Sequence, residues 1–244
     1  MAENLQIIDA NTSIGIHPEH RLDMSIEKLV AQMDKYCIAA SLTISTIAMF
    51  HESQTGNAVT IDSAKVSNRL VPVGTVNPRT YFGTEEEMRA IKGLGFRIFK
   101  FFPTEQKWAI NSMAFCEVVR QLSVLKTPIM VETKNPGDVT ALCPIISQSQ
   151  APVILCSVSL DTLSEAVAAM TRLPQTMIET CELTVPGGLE MLVERVTADR
   201  IVFGSGAPTR STASSLHYVL DSELSETDKQ KILGGNIRRV LEVC

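Results

Sequence analysis

Short apolar segments rich in Val, Ile and Phe alternate along this chain with longer segments whose apolar residues recur at three and four. In the first half LQIIDA precedes SIEKLVAQMDKY, AASLTIS precedes TIDSAKVSNR, LVPVGTVN precedes TEEEMRAIKGLG, and FRIFKFF precedes NSMAFCEVVRQLSVLK. In the second half PIMVET leads to GDVTALCPIIS, PVILCSVS to LDTLSEAVAAMTRL, TMIETCE to GGLEMLVERV, and RIVFGSG to TASSLHYVLDS. Ile26, Leu29, Val30 and Met33 give the first helix one apolar stripe. Thr84 with Glu87 forms a capping-box pattern, and Gly93 and Gly95 close that helix. A ninth helix, SETDKQKILGGNIRRVLEV, is weakened internally by Gly234 and Gly235. Eight strand–helix units predict an α/β fold, a (β/α)8 TIM barrel with a closed parallel sheet and one extra C-terminal helix, as a single domain over residues 1–244. An open doubly wound sheet is the alternative. Closure would lay LQIIDA in parallel beside RIVFGSG.

With 45% apolar residues among 244, the chain can bury one large core. The net charge of −5 comes without a Lys/Arg cluster, which argues against a nucleic-acid partner. The N-terminal MAENLQIIDA lacks the charged-then-apolar pattern of a signal segment, and no apolar run approaches membrane-spanning length. A cytoplasmic location, a small-molecule ligand and no membrane are therefore expected, and a homo-oligomer is compatible with these features. Cys37, Cys116, Cys143, Cys156, Cys181 and Cys244 show no C-x-x-C spacing, consistent with free thiols and no structural zinc site.

The active end of such a barrel is formed by the C-terminal ends of its strands. Alternation along the first strand puts Asp9, Asn11 and Ser13 on one face, the last two at the mouth. The remaining mouth candidates are Ser45, Asn77, Lys100, Glu132, Cys156 or Ser157, Glu179 or Cys181, and Ser205 with Gly206. A register slip of one residue would reverse each assignment.

IIDANTSIG with SIEKLVAQMDKYCIAASL resembles the opening of the amidohydrolase superfamily, in particular its amidohydrolase-2, or amidohydrolase-related, branch. RLVPVGTVNPR, EEEMRAIKGLGFRIFKFFP, TPIMVET, PVILCSVS, TMIETCE and RIVFGSGAP resemble successive blocks of that family. The G-S-x-A-P turn and the I-L-G-G-N-x-x-R-x-L helix are the most specific parts. The resemblance implies a metal-dependent hydrolase or decarboxylase. It also implies metal ligands from a His-x-His pair, histidines ending strands five and six, and an aspartate after strand eight. Those positions read Asn11 and Ser13, Glu132, Ser157 and Gly206 here. Neutral Asn and Ser oxygens and a glycine offer a borderline-soft divalent ion almost nothing, so a degenerate metal site, with no metal or other cofactor, is expected.

Lys100 and Glu132 end adjacent strands and are the candidate catalytic pair, although an ion pair in that position also serves structure alone. Asn11, Ser13, Asn77, Cys156, Ser157, Cys181 and Ser205 are the candidate substrate-binding residues. Cys156 and Cys181 have no histidine at a matching strand end to activate a thiolate. His17 and His20 fall in the loop IHPEHR, where solvated histidines are the default, although they could also act as acid–base groups or replacement ligands. His51 and His217 have no partner legible in sequence. Two functional classes follow. One is a hydrolase or lyase acting on a small carbonyl or carboxylate compound without the usual divalent metal. The other is a non-catalytic relative that binds a ligand or partner protein through the altered pocket.

Overall fold

The alternation read from the sequence is observed in the computed structural model, which describes residues 6–242. Leu5 of the first predicted strand and Cys244 lie outside the described residues. Strand β1 (Ile7–His17) is followed by β2 (Leu22–Met24), α1 (Ile26–Lys35), β3 (Ile38–Ser45), α2 (Thr46–Phe50), α3 (Ser53–Val66), β4 (Leu70–Pro72) and α4 (Glu85–Gly93). Next come β5 (Phe99–Phe101), α5 (Pro103–Gln106), α6 (Met113–Val124), β6 (Ile129–Glu132), α7 (Asp138–Ile146), β7 (Val153–Cys156) and α8 (Leu160–Arg172). β8 (Thr176–Glu179), α9 (Gly188–Val196), β9 (Ile201–Val202), α10 (Thr212–Leu220), α11 (Glu226–Gln230) and α12 (Asn236–Glu242) complete the order.

Local chemistry starts several helices where the pattern predicts. The Ser25 hydroxyl accepts the Lys28 N–H ahead of α1, and Thr84 and Glu87 form the reciprocal capping box of α4. Leu29 and Met33 of α1 are buried against the sheet, with Ile26 packed beside them.

Parallel ladders join β1 to β3 to β4, and β5 through β9 in order. Hydrogen bonds bridge both seams between these groups. At one, Gly74 pairs with Phe99, and the Lys100 N–H donates to the Gly74 carbonyl at 2.8 Å. At the other, Thr12 pairs in parallel with Ala207, and the N–H groups of Ala10 and Ser13 donate to the carbonyls of Phe203 and Ala207 at 2.9 Å. Strand one is thus bonded to both neighbours, and the architecture is the (β/α)8 TIM barrel rather than the open sheet. Inward side chains of the strands, among them Ile8, Leu42, Ile44, Val73, Met130, Ile154, Met177 and Val202, fill the barrel interior. Their sequence neighbours, such as Ile7, Phe99, Val131, Leu155 and Ile178, pack outward against the helices.

Three departures from the sequence pattern bear on the site. First, β1 runs on to His17 and turns into β2, an antiparallel hairpin with Gly15 opposite Met24 and His17 opposite Leu22, where a loop is expected. Second, the β1–β3 register slips between Asp9 and Thr12, so β1 carries one residue more than its partner. Third, the ninth helix divides into α11, one π-helical turn at Lys231–Gly235, and α12. A Cβ on Gly234 would lie 2.1 Å from the Gln6 carbonyl oxygen, so the absence of a side chain there lets this segment pass the start of β1.

Candidate functional site

A cavity of about 280 Å³ opens at the C-terminal ends of the strands. Its floor is polar. Lys100, at the centre of β5, is 4% exposed, and its Nζ donates to Asn11 Oδ1 at 2.8 Å and contacts Glu132 Oε1 at 3.0 Å. Asn11 turns its Nδ2 toward Glu179 Oε2 at 3.0 Å and Cys181 Sγ at 3.5 Å. Glu179 Oε1 also accepts the Cys181 N–H at 2.7 Å. The Asn11 amide therefore spans an ammonium on one side and a carboxyl on the other. Lys134 approaches Glu132 Oε2 at 2.8 Å, an electrostatic contact rather than an aligned hydrogen bond, and also pairs with Glu105.

Burial and charge set the protonation of this network. Burial works to raise the Glu132 carboxyl, but the Lys100 and Lys134 ammoniums outweigh it and hold Glu132 below its ordinary range. Burial likewise opposes the charge on Lys100, and the Glu132 carboxylate more than restores it, so the ammonium persists. Glu179, fully buried, is pushed up to about 7 by desolvation despite Lys100 nearby. Asp9 rises to about 6 by burial, while the N–H groups of Ser205 and Asn11 favour its ionised form. Burial raises the thiols of Cys156 and Cys181 well above their ordinary value, leaving both as inert thiols at neutral pH.

The rim carries further charge. His17, Glu19, His20, Glu105, Lys134, Glu182 and Arg210 all line the opening, with Arg210 paired to Glu182. His17 is 6% exposed and packs edge-on to Phe50, with ring centroids 4.7 Å apart. This corrects the expectation of two solvated loop histidines, because the β1–β2 hairpin folds His17 inward and leaves only His20 exposed.

The structure brings Asn11, Ser13, Lys100, Glu132, Ser157, Cys181 and Gly206 together on one cavity and places the other candidates elsewhere. Asn77 lies in a separate groove with Glu52 and Tyr81, its Oδ1 accepting the Arg79 N–H in a turn. The last wall pairing of this segment is at Gly74, so the chain has left the barrel wall before reaching Asn77. Cys156 is fully buried in the barrel interior, and Ser157 reaches the opening in its place. Ser205 is also fully buried, its N–H bonded to Asp9 and its hydroxyl accepting the Ala207 N–H. Glu179 and Asp9 support the floor from beneath without lining the cavity. The Ser45 hydroxyl caps α2. His51 ends α2, and His217 pairs with Asp221 at 3.2 Å on the outer face of α10. Strict alternation grouped Asp9 with Asn11, but the extra residue in β1 lets Asn11, Thr12 and Ser13 all reach the cavity.

Sequence reasoning missed Lys134, Glu105, Glu182 and Arg210. Lys134 carried a usable signal, since it stands two residues beyond Glu132 and so continues that face. Arg210 belongs to the loop after β9, and Glu105 to the short helix α5, so their approach to the mouth depends on how the segments beyond the strand ends fold.

Among solved structures, an amidohydrolase from Burkholderia multivorans with bound zinc is 16% identical, with a TM-score of 0.74 over 97% of this chain and 99% of the other. A 2,6-dihydroxybenzoate decarboxylase from Rhizobium is 14% identical, with a TM-score of 0.76 over 98% and 99%. A probable 2-pyrone-4,6-dicarboxylic acid hydrolase from Acinetobacter baumannii, with citric acid bound, is 12% identical, with a TM-score of 0.75 over 97% and 99%. At these identities the likeness is one of fold. No curated protein matches the sequence. The Amidohydro_2 family model, described as amidohydrolase, matches residues 33–243, and the chain belongs to that family.

Proposed function

We propose that this protein is a hydrolase or lyase for a small carboxylate or carbonyl compound, working without a divalent ion on the cavity floor. The observation that carries the reading is the buried Lys100 ammonium, held between Asn11 Oδ1 and Glu132 Oε1 at the bottom of a cavity sized for a small molecule. A fixed cation there can hold a substrate carboxylate or stabilise a developing oxyanion. Glu132 is the acid–base candidate and Ser13 a hydrogen-bonding group, while Asn11 positions Lys100. Lys134, at the rim, offers a second ammonium to an anionic substrate.

The donor set does not fit the metal that the family implies. Both Glu132 oxygens face ammoniums, and the Asn11 oxygen is taken by Lys100. Gly206 has φ 70°, and a Cβ there would meet Cys181 Cβ at 3.2 Å and Arg210 Cγ at 3.0 Å, so an aspartate is poorly accommodated at that position. A cation placed beside Lys100 would also meet its charge at short range in a poorly screened site. Because no ion is held by the floor residues, elemental analysis after dialysis against a mild chelator is expected to give the same zinc, iron and manganese content for the parent and for Glu132→Gln.

One observation favours the second reading, a barrel that binds without turnover. Two ammoniums keep Glu132 ionised, which makes it a weak proton acceptor. Citrate titrated calorimetrically and a panel of aromatic carboxylates and carboxylated lactones separate the two. Lys100→Met is expected to lose citrate affinity tenfold or more, whereas Glu132→Gln keeps binding and abolishes turnover. Retained turnover in Glu132→Gln would remove its catalytic role, and citrate binding indifferent to Lys100→Met would remove the anion site. The pair should also be coupled in stability, with Lys100→Met/Glu132→Gln costing less than the sum of the single changes by about 0.5–3 kcal/mol.

A further inference from the structure

Above the floor, on the β1–β2 hairpin, lies a group that the reading of Lys100 and Glu132 does not use. Ligand atoms of His17, Glu19 and His20 lie within 4.8 Å of one another, and among the described residues this is the one such group of three histidine, cysteine or carboxylate side chains. We infer that these three residues form a binding site for a borderline-soft divalent cation of the zinc, cobalt or iron type at the rim of the cavity. Two imidazoles and one carboxylate are a sufficient protein ligand set for such an ion and leave a fourth position open.

Three further observations support the assignment. His17 is anchored rather than mobile: it is 6% exposed, its ring lies edge-on to Phe50, and the centroid of His20 is 4.7 Å away. Its Nδ1 lies in the turn, where it accepts the His20 backbone N–H at 3.4 Å. A contact this long is weak and easily exchanged for a metal bond. The same cavity holds a buried carboxylate oxygen with no hydrogen-bond partner, Glu105 Oε2. Glu19, Glu105 and Glu132 set against Lys100 and Lys134 leave one negative charge on the wall, Glu182 and Arg210 cancelling. Added positive charge at the rim is thus complemented, whereas the floor already carries its own cation. All three ligand residues line the opening, so a bound ion would sit at the entrance to the cavity.

The site is tested with the intact protein and Co2+ alone, reading visible absorption and calorimetric stoichiometry, with Zn2+ as competitor. One equivalent is expected to bind. His20→Ala and His17→Asn should each weaken binding by at least about 10–100-fold, the range seen when even the outer partners of metal ligands are removed. Glu19→Gln should weaken it in the same direction. His217→Ala, which removes the exposed His217–Asp221 pair, should leave it unchanged. His20 and Glu19 are exposed, so their variants fold even if the buried His17 variant does not. Absence of a saturable equivalent would overturn the assignment, as would affinity that survives both His20→Ala and Glu19→Gln. Lys100→Met should retain Co2+, which keeps this outcome separate from the fate of the floor.

Discussion

Glu179 shows how one side chain at the floor couples protonation to stability. It is fully buried, accepts N–H groups from Asn11 and Cys181, and titrates near 7 instead of 4.5 because desolvation outweighs Lys100. The unfolded chain loses this proton near 4.5, so between that value and 7 the folded state holds the extra proton, and stability falls as pH rises. Above pH 7 the whole penalty, about 3 kcal/mol, is present. Glu179→Gln removes the slope, so its stability relative to the parent should improve by about 2–3 kcal/mol between pH 5 and pH 8. Asp9 titrates in both proteins and cancels in the difference. Urea unfolding of the two proteins at several pH values provides the check, and a difference that does not change with pH would refute the assignment. Glu179 was one of two alternatives for its strand end, and its role beneath Asn11 was not readable from position alone.

At the scale of elements, the C-terminal segment is the most informative departure. Helical periodicity runs unbroken from Ser225 to Val243, yet Lys231–Gly235 forms a π-helical turn. The two adjacent glycines do different things. A Cβ on Gly234 would strike the backbone of Gln6, while the nearest atom to one on Gly235 is 3.5 Å away. Gly234→Ala is expected to destabilise the protein by about 1–3 kcal/mol through overpacking against a strand backbone. Gly235→Ala should be neutral or stabilising by up to about 1 kcal/mol, because alanine is the better helix former. Thermal or urea denaturation of both variants decides the point, and equal effects would mean that the close approach to β1 is not what the first glycine serves. The β1–β2 hairpin is a second such element. The sequence IHPEHR reads as a loop, and only pairing with Leu22–Met24 draws His17 inward.

For the whole molecule the decisive feature is the seam between the first and last strands. Among its backbone bonds are those from Ala10, Ser13 and Gly206 to Phe203, Ala207 and Asn11, with the Ser205 N–H also bonded to the Asp9 carboxyl. If the barrel unfolds as one cooperative unit, these amides exchange only through global opening. Native-state hydrogen exchange is expected to give Ala10 and Ser13 protection equal to that of core strands such as β6 and β7, and rapid exchange would mean that the seam opens independently. The same seam assembles the site. Asn11 meets Lys100 across 89 residues of sequence and Glu179 across 168. Among the described residues, no helix is long and apolar enough to cross a membrane.

Periodicity sufficed for the order of strands and helices, the capped helix starts, and the placing of Lys100 and Glu132 on neighbouring strands. Each of these follows from side-chain repeats of two or about 3.6 and from contacts within one turn, which are local properties. The extra residue in β1, the inward turn of His17, the departure of Asn77, the burial of Cys156 and Ser205, and the arrival of Glu105 and Arg210 at the opening depended on the fold. They arise where distant segments meet after the sheet closes, and a close approach such as that of Gly234 to Gln6 leaves no periodic trace in the chain. Family membership pointed to the end of the barrel where chemistry is sought, but the charges there are balanced through space, among side chains from strands and loops far apart in sequence.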